Sequence, residues 1–246
     1  MLVSHRYEFI YTKTFKTAGT SVEVFFEPYC MPEGEWTFSK FRPPTVTDAG
    51  IIGHRGPRST NASEKTWYHH MPACEIRSKL GKEVWDSYFK FCVVRNPYDK
   101  AVSMYNWARR YSDLKTRLIN LATHTSTRLL QLDFQRFAQI AGVDRNKYVL
   151  NGSFCLDDVI FFERLQKDTR RICSTLQLPV DKVDLPRMKT DFRSPTYDTS
   201  DYYNANSRRI IEEKFRPEIE AFGYTCPWEG TPRPQHMPND IDVEWA

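Results

Sequence analysis

Tyr7-Glu-Phe-Ile-Tyr-Thr12, followed by Lys13-Thr-Phe-Lys-Thr-Ala-Gly-Thr-Ser21 and then Val22-Glu-Val-Phe-Phe26, is the stretch that decides the architecture. Its first segment is rich in aromatic and β-branched residues and reads as a short strand. Lys13 to Ala18 is a small, polar turn. Gly19 to Phe26 then reads as a helix, with Val22, Phe25 and Phe26 at helical spacing. Strand, small-residue turn and helix together are the layout of an anion cradle: backbone N–H groups can approach the ligand, and the helix N-terminus adds partial positive charge. Lys16 supplies a full charge, Thr17, Thr20 and Ser21 supply hydroxyls, and Ala18 and Gly19 keep the approach open. The nucleotide-triphosphate loop has the order G-x-x-x-x-G-K-[ST]. Here the lysine precedes the glycine and no earlier glycine stands in the turn, so that version fits poorly. An ordinary strand-to-helix turn with a surface lysine is the competing reading.

The next landmark is Tyr88-Phe-Lys-Phe-Cys-Val-Val94, a nearly continuous apolar run of the kind buried in a parallel sheet. Asn96-Pro97 follows, a helix cap and first-turn proline, so a helix runs from there past Trp107. Arg95 stands between strand and helix, and Ser103 lies in the helix's second turn. Both can converge on one phosphate, because a guanidinium binds phosphate oxygens bidentately. Alternatively Arg95 pairs with Asp99 at the helix start. Val159-Ile-Phe-Phe162 reads as a third strand and Glu163 to about Leu176 as its helix. A short strand at Ile51-Ile52, a helix from Pro72 to Leu80 stopped by Gly81, a mostly helical 114–142 and a helix over 205–222 interrupted near Pro217 complete the pattern; 179–203 reads as loop. The alternation predicts an α/β fold: a three-layer, P-loop-like arrangement with a central parallel sheet flanked by helices. Ligands in such sheets bind outside the C-terminal strand ends.

Composition narrows the class. The 246 residues carry Lys+Arg 35 against Asp+Glu 31, net +4, too mild for a protein that coats nucleic acid. Hydrophobic content of 40% with 14% aromatic is enough for a sizeable core. No apolar run approaches the roughly 20 residues of a membrane span, and Met1-Leu-Val-Ser-His-Arg does not read as a signal peptide. The 6 cysteines contain no C-x-x-C pair, which argues against a zinc site and a dense disulfide scaffold; Cys92 reads as a core residue. The expectation is a cytoplasmic protein with neither nucleic acid nor membrane as partner. N-x-S/T triplets at Asn61 and Asn151 would matter only in a secreted chain.

Lys16-Thr-Ala-Gly-Thr-Ser21 and Arg95-Asn-Pro-Tyr-Asp-Lys-Ala-Val-Ser103 together closely resemble the two cofactor motifs of sulfotransferases that use 3′-phosphoadenosine-5′-phosphosulfate. The resemblance implies that the first holds the 5′-phosphosulfate and the second the 3′-phosphate. Phe162-Glu-Arg-Leu165 with Asp168 resembles the strand end whose aromatic lies near the adenine. Tyr202-Tyr203, Arg208-Arg209 and Glu218-Ile-Glu-Ala-Phe-Gly-Tyr224 resemble the carbohydrate-type branch. The likeness spans nearly the whole chain, weakest over 30–68 and 111–150, and implies one domain over 1–225 with acceptor-side variation in those two segments and a Pro-rich tail at 226–246. One departure is Phe15, where many members have proline; it is expected to change the turn's rigidity more than its chemistry.

The implied reaction is in-line sulfuryl transfer to a small-molecule or glycan acceptor, sugar or other alcohol favoured, releasing adenosine 3′,5′-bisphosphate and requiring no metal. Such transfers ask a protein for positioning and charge stabilisation. Lys16 resembles the loop lysine that neutralises the leaving oxygen. Histidine suits the general base. Among the 6 histidines, His70 in His70-Met-Pro72 resembles the family's base; His69 is its neighbour, and His54, in Gly-His-Arg-Gly, is the runner-up. Arg193 falls where the family closes a basic residue over the nucleotide. Trp67, Tyr68, Trp107 and Tyr111 flank the expected acceptor cleft or belong to the core. Two other classes compete: an atypical P-loop kinase or hydrolase, which needs a strand-end aspartate where Val93-Val94 run into Arg95, and a non-catalytic binder of anionic polymers.

Overall fold

A computed structural model describes residues 1–56, 66–110, 126–180, 182–186, 188, 197–230, 237, 243 and 245. In chain order the elements are β1 (Leu2–Ser4), β2 (Phe9–Thr12), α1 (Gly19–Phe26), β3 (Thr45–Thr47), β4 (Gly50–Ile52), α2 (Ala73–Leu80), α3 (Lys82–Ser87) and β5 (Phe89–Val94). After them come α4 (Pro97–Arg110), α5 (Thr127–Ile140), β6 (Val149–Leu150), β7 (Ser153–Phe154), β8 (Asp158–Phe161), α6 (Leu165–Thr175), α7 (Ala205–Lys214) and α8 (Arg216–Ala221). The chain forms two compact units. The first comprises Met1–Val94, Asp144–Met188 and Trp245–Ala246; the second, Arg95–Val143 and Lys189–Glu244.

The first unit is built on a six-stranded sheet of order β3-β4-β1-β2-β5-β8. β2–β5 and β5–β8 pair in parallel, while β1–β2, β1–β4 and β3–β4 are antiparallel. The sheet is therefore mixed, not the parallel sheet the sequence predicts. The parallel part is the part joined by helical crossovers. β1 and β2 are linked by only residues 5–8, with Glu8 in the left-handed region, and so short a link can join only antiparallel strands. β1 and β3 have three residues each, too few for periodicity to mark.

Why these residues form this sheet is plain from its aromatic face. Alternation along β2 sends Phe9 and Tyr11 to one side, and the β5 register sets Phe91 opposite Tyr11. The Phe91 ring lies 5.8 Å from Phe9, 5.3 Å from Tyr11 and 5.0 Å from Phe26 of α1, all fully buried. Cys92 is buried in the same strand, and all six cysteines are free thiols. Lys90 survives inside β5 by pairing with Asp157 at 2.9 Å.

α1 matches the predicted helix residue for residue. α2 starts after Pro72 and stops at Gly81 (φ 86), which also begins α3, a helix the sequence reading missed. The third strand sits one residue earlier than predicted, because Phe162 already belongs to the 3₁₀ turn Phe162–Arg164. The small β6–β7 hairpin packs Phe154 and Tyr148 near Trp245, at 5.9 and 5.7 Å.

The second unit is helical. Tyr98, Val102 and Tyr105 of α4 pack with Leu130, Phe134 and Ala138 of α5 and Ile211 and Phe215 in and beyond α7. Asn96 caps α4 as its sequence predicts, its Oδ1 accepting from Tyr98 N–H at 3.1 Å. Lys214 Nζ donates to the carbonyls of Ala138, Gln139 and Ala141 at 3.1, 2.6 and 3.0 Å, closing the C-terminus of α5. The predicted last helix is two helices, α8 restarting with Pro217 in its first turn. Of the predicted helical stretch 114–142, α5 accounts for 127–140, and 111–125 lie outside the described residues.

Phe91→Ala is expected to destabilise the chain by about 3–5 kcal/mol, from lost transfer energy plus a cavity shared by three rings. Val46→Ser on the edge strand β3, where the side chain is 62% exposed, should stay within about 0.5 kcal/mol. Urea unfolding midpoints of the two variants measure the contrast.

Candidate functional site

The turn between β2 and α1 is held in an unusual backbone shape. Lys16 and Ala18 both have φ 57, and Thr17 between them does not. Left-handed backbone at non-glycine residues costs about 1–2 kcal/mol each, so the surroundings must impose it. They do so with side-chain hydrogen bonds. The Thr14 hydroxyl donates to Val93 O at 2.5 Å and lies 2.8 Å from the Thr17 hydroxyl. Phe15 N–H donates to Asp144 Oδ2 at 2.8 Å, and Tyr11 O–H donates to Gly19 O at 3.4 Å. Alternating backbone hand of this kind curves successive N–H groups around one concavity. The first turn of α1 contains no acidic residue and no side-chain cap. At Gly19 a Cβ would come within 3.1 Å of Lys13 Cγ and 3.3 Å of Thr14 O, which is why glycine stands where the turn folds back on itself.

Two lysines bracket this turn and have different fates. Lys13 is buried and its Nζ lies 2.7 Å from Glu23 Oε2. Burial alone would raise the Glu23 carboxyl, but the charges of Lys13, the Met1 amine and Arg42 hold it well below the usual carboxylate range. Lys16 is half-buried on the turn itself. The Thr17 hydroxyl, predicted as an anion donor, is instead buried and engaged with Thr14. Ser21 Oγ accepts from Met188 N–H at 3.3 Å, and Thr20 is half-buried.

His70 packs against this turn. Its Nδ1 is 2.9 Å from Lys13 O, and its ring stacks on Phe15 with centroids 3.9 Å apart at 12°. A carbonyl oxygen only accepts, so Nδ1 carries the proton and Nε2 carries the lone pair of the neutral ring. Burial, then the charges of Lys13 and His69, push its pKa well below 6.5. His69 makes the equivalent bond to His54 O at 2.9 Å, and burial pushes it down to about 4. The His69 ring is 5.0 Å from His70 and 6.1 Å from His54. Of the two predicted candidates, His70 touches the turn and His54 stands one ring further away. His54 is buried, and its N–H donates to Trp67 O at 2.7 Å.

β2 and β5 are parallel neighbours, with Thr12 opposite Cys92, so both end at one edge of the sheet. Arg95 is the residue after β5. Within the second unit its Nε and Nη2 donate to Asp99 Oδ2 at 2.8 and 2.6 Å. The Thr199 hydroxyl donates to Asp99 Oδ1 at 3.3 Å. Ser103 is buried on α4. The helix-start pairing is thus formed.

The sequence profile of the Sulfotransferase family matches residues 1–225. The chain belongs to the sulfotransferase family. An uncharacterized protein of Archaeoglobus fulgidus is 30% identical over 110 residues, covering 44% of this chain and 84% of its own length. No solved structure matches the chain. Membership supports sulfuryl transfer as the general chemistry. Among the described residues no helix is long and apolar enough to cross a membrane.

The other predicted residues of this family member have separate surroundings among the described residues. Phe162 is half-buried and packs against the sheet core. Arg193 and Tyr111 lie outside the described residues. Trp67 is buried, Tyr68 donates to Glu75 Oε2 at 2.5 Å, and Trp107 is 46% exposed. Sequence reading missed Asp144 and Lys13, the residues that hold the turn and carry its nearest buried charge. No local pattern marks Asp144, because its partner Phe15 is 129 residues away.

The histidines make stability depend on pH. His69 titrates at 6.5 in the unfolded chain and about 4 when folded, so between these values the unfolded state binds more protons. Stability is therefore full above pH 6.5 and falls as pH drops toward 4. NMR titration of the ring protons should give a His69 midpoint of about 4, and urea midpoints should decline over the same interval.

Proposed function

We propose that the chain transfers a sulfuryl group from 3′-phosphoadenosine-5′-phosphosulfate to a hydroxyl of a sugar or other alcohol, with His70 as general base. The observation that carries this reading is the His70–Lys13 hydrogen bond, which puts the proton on Nδ1 and leaves the lone pair on Nε2 of an imidazole packed against the same turn that bears Lys16. The fit to the donor is electrostatic. An acid-free helix N-terminus, curved backbone N–H groups and Lys16 offer a place for the 5′-phosphosulfate. For the 3′-phosphate and the adenine the support is the motif likeness alone, which implies Arg95 and Ser103 for the first and Phe162 for the second.

The donor supplies an activated sulfur–oxygen bond. His70 Nε2 takes the acceptor's hydroxyl proton as the new oxygen–sulfur bond forms and the bond to the 5′-phosphate breaks. Lys16, with the N–H groups of Gly19 and Thr20, neutralises the charge left on that phosphate oxygen. The proton resides on His70 until acceptor product and adenosine 3′,5′-bisphosphate depart. The low pKa of His70 keeps the base unprotonated at neutral pH.

Calorimetry with adenosine 3′,5′-bisphosphate in chelator tests the donor: tight metal-free binding is expected, and binding only of Mg²⁺-ATP would replace this reading with that of a kinase or hydrolase. Lys16→Ala should lower transfer of labelled sulfate about 10²–10³-fold. His70→Ala should lower it about 10²–10⁴-fold while the bisphosphate still binds. Retained turnover in His70→Ala with loss in His54→Ala would move the base to His54.

Arg95→Ala should weaken adenosine 3′,5′-bisphosphate by roughly 10–100-fold, the worth of a charge-assisted contact. Adenosine 5′-phosphosulfate, which lacks the 3′-phosphate, should lose far less. Equal losses would remove Arg95 from the 3′-phosphate.

A further inference from the structure

We propose that Phe15 is a positioning residue for His70, its ring clamping one face of the imidazole so that Nε2 stays aimed and unprotonated. The proposal rests on the reading of His70 as the base. Phe15 is 41% exposed, so its ring is not a core residue that happens to lie nearby. It lies nearly parallel to the imidazole, 3.9 Å between centroids. It is held at two further points. Its N–H is bonded to the buried Asp144 carboxylate, and Lys147 Nζ lies 5.7 Å from its ring centroid. Both partners come from the single 3₁₀ turn that begins at Asp144. A proline at position 15 would have neither the N–H for Asp144 nor a flat ring for His70, so the change of residue type reaches the chemistry and not the turn's rigidity alone.

The stack completes the restraint on His70. Nδ1 is tied to Lys13 O, and the backbone is left-handed at φ 61. With one ring face covered, rotation about the Cβ–Cγ bond is blocked and water is excluded from that face. The charged groups around the ring are Lys13 on the turn, His69 on its own segment and the Met1 amine, with Lys147 and Asp144 behind Phe15. All but Asp144 disfavour an imidazolium when charged. Removing the Phe15 ring admits water to the imidazole, so its titration midpoint moves up toward the ordinary value.

The test uses the full chain with histidine ¹⁵N-labelled. In Phe15→Ala, His70 is expected to lose its single Nδ1–H tautomer and to titrate at higher pH. Its kcat should fall about tenfold or more, the acid limb of the kcat profile should move up in pH, and bisphosphate affinity should hold. Phe15→Tyr, which keeps a flat ring, should restore the tautomer and the titration. An unchanged tautomer and midpoint in Phe15→Ala would overturn the proposal, as would a loss confined to bisphosphate affinity. If the wild-type chain transfers no sulfate, the functional reading fails, while the ¹⁵N spectra still decide whether Phe15 holds His70.

Discussion

The Glu23 carboxylate, wholly buried in α1, is the contact on which the rest of the first unit depends. Lys13 reaches it from the end of β2 at 2.7 Å, Arg55 from beyond β4 at 3.4 Å and Arg42 at 3.7 Å. Arg42 and Arg55 also meet Glu27 one turn along. A charge buried alone would cost several kcal/mol, so each member stays ionised only while its partners stay in place. That mutual requirement fixes α1 against the strand that feeds it, and hence the turn between them. It also places the segment carrying Arg55 and His54, and through the His54 main chain the segment carrying His69 and His70.

Three of the six described non-glycine residues with left-handed backbone lie where this network ends. Lys16, Ala18 and His70 are left-handed without being glycine, and all three belong to the layer around the turn. The Thr14 hydroxyl donating to Val93 O, Phe15 N–H donating to Asp144 and His70 Nδ1 donating to Lys13 O hold that geometry. The backbone of the turn and the His70 ring are therefore held in fixed orientations.

The second unit carries a different device. Arg95 is held by Asp99, and Asp99 by Thr199. The Asp99 carboxylate orients the Arg95 guanidinium and balances its charge.

Adjacent residues determined much of this protein. The strand–turn–helix of residues 7–26, the apolar run into Arg95 and the Asn96-Pro97 helix start are local patterns, read from spacing and capping chemistry, and the folded chain keeps them. The two motifs also carried the family, since each is a short contiguous string. What only the tertiary structure decided is what depends on residues far apart in sequence. The antiparallel half of the sheet arises from strands of three residues, below the length at which alternation is visible. Asp144 on Phe15, Phe15 on His70 and Glu23 among its cations span tens of residues to more than a hundred. Those contacts exist because burial leaves charges and N–H groups no water to turn to, and a buried group's partner is set by where the backbone brings it. Composition could say that such partners were needed; only the folded chain could say which.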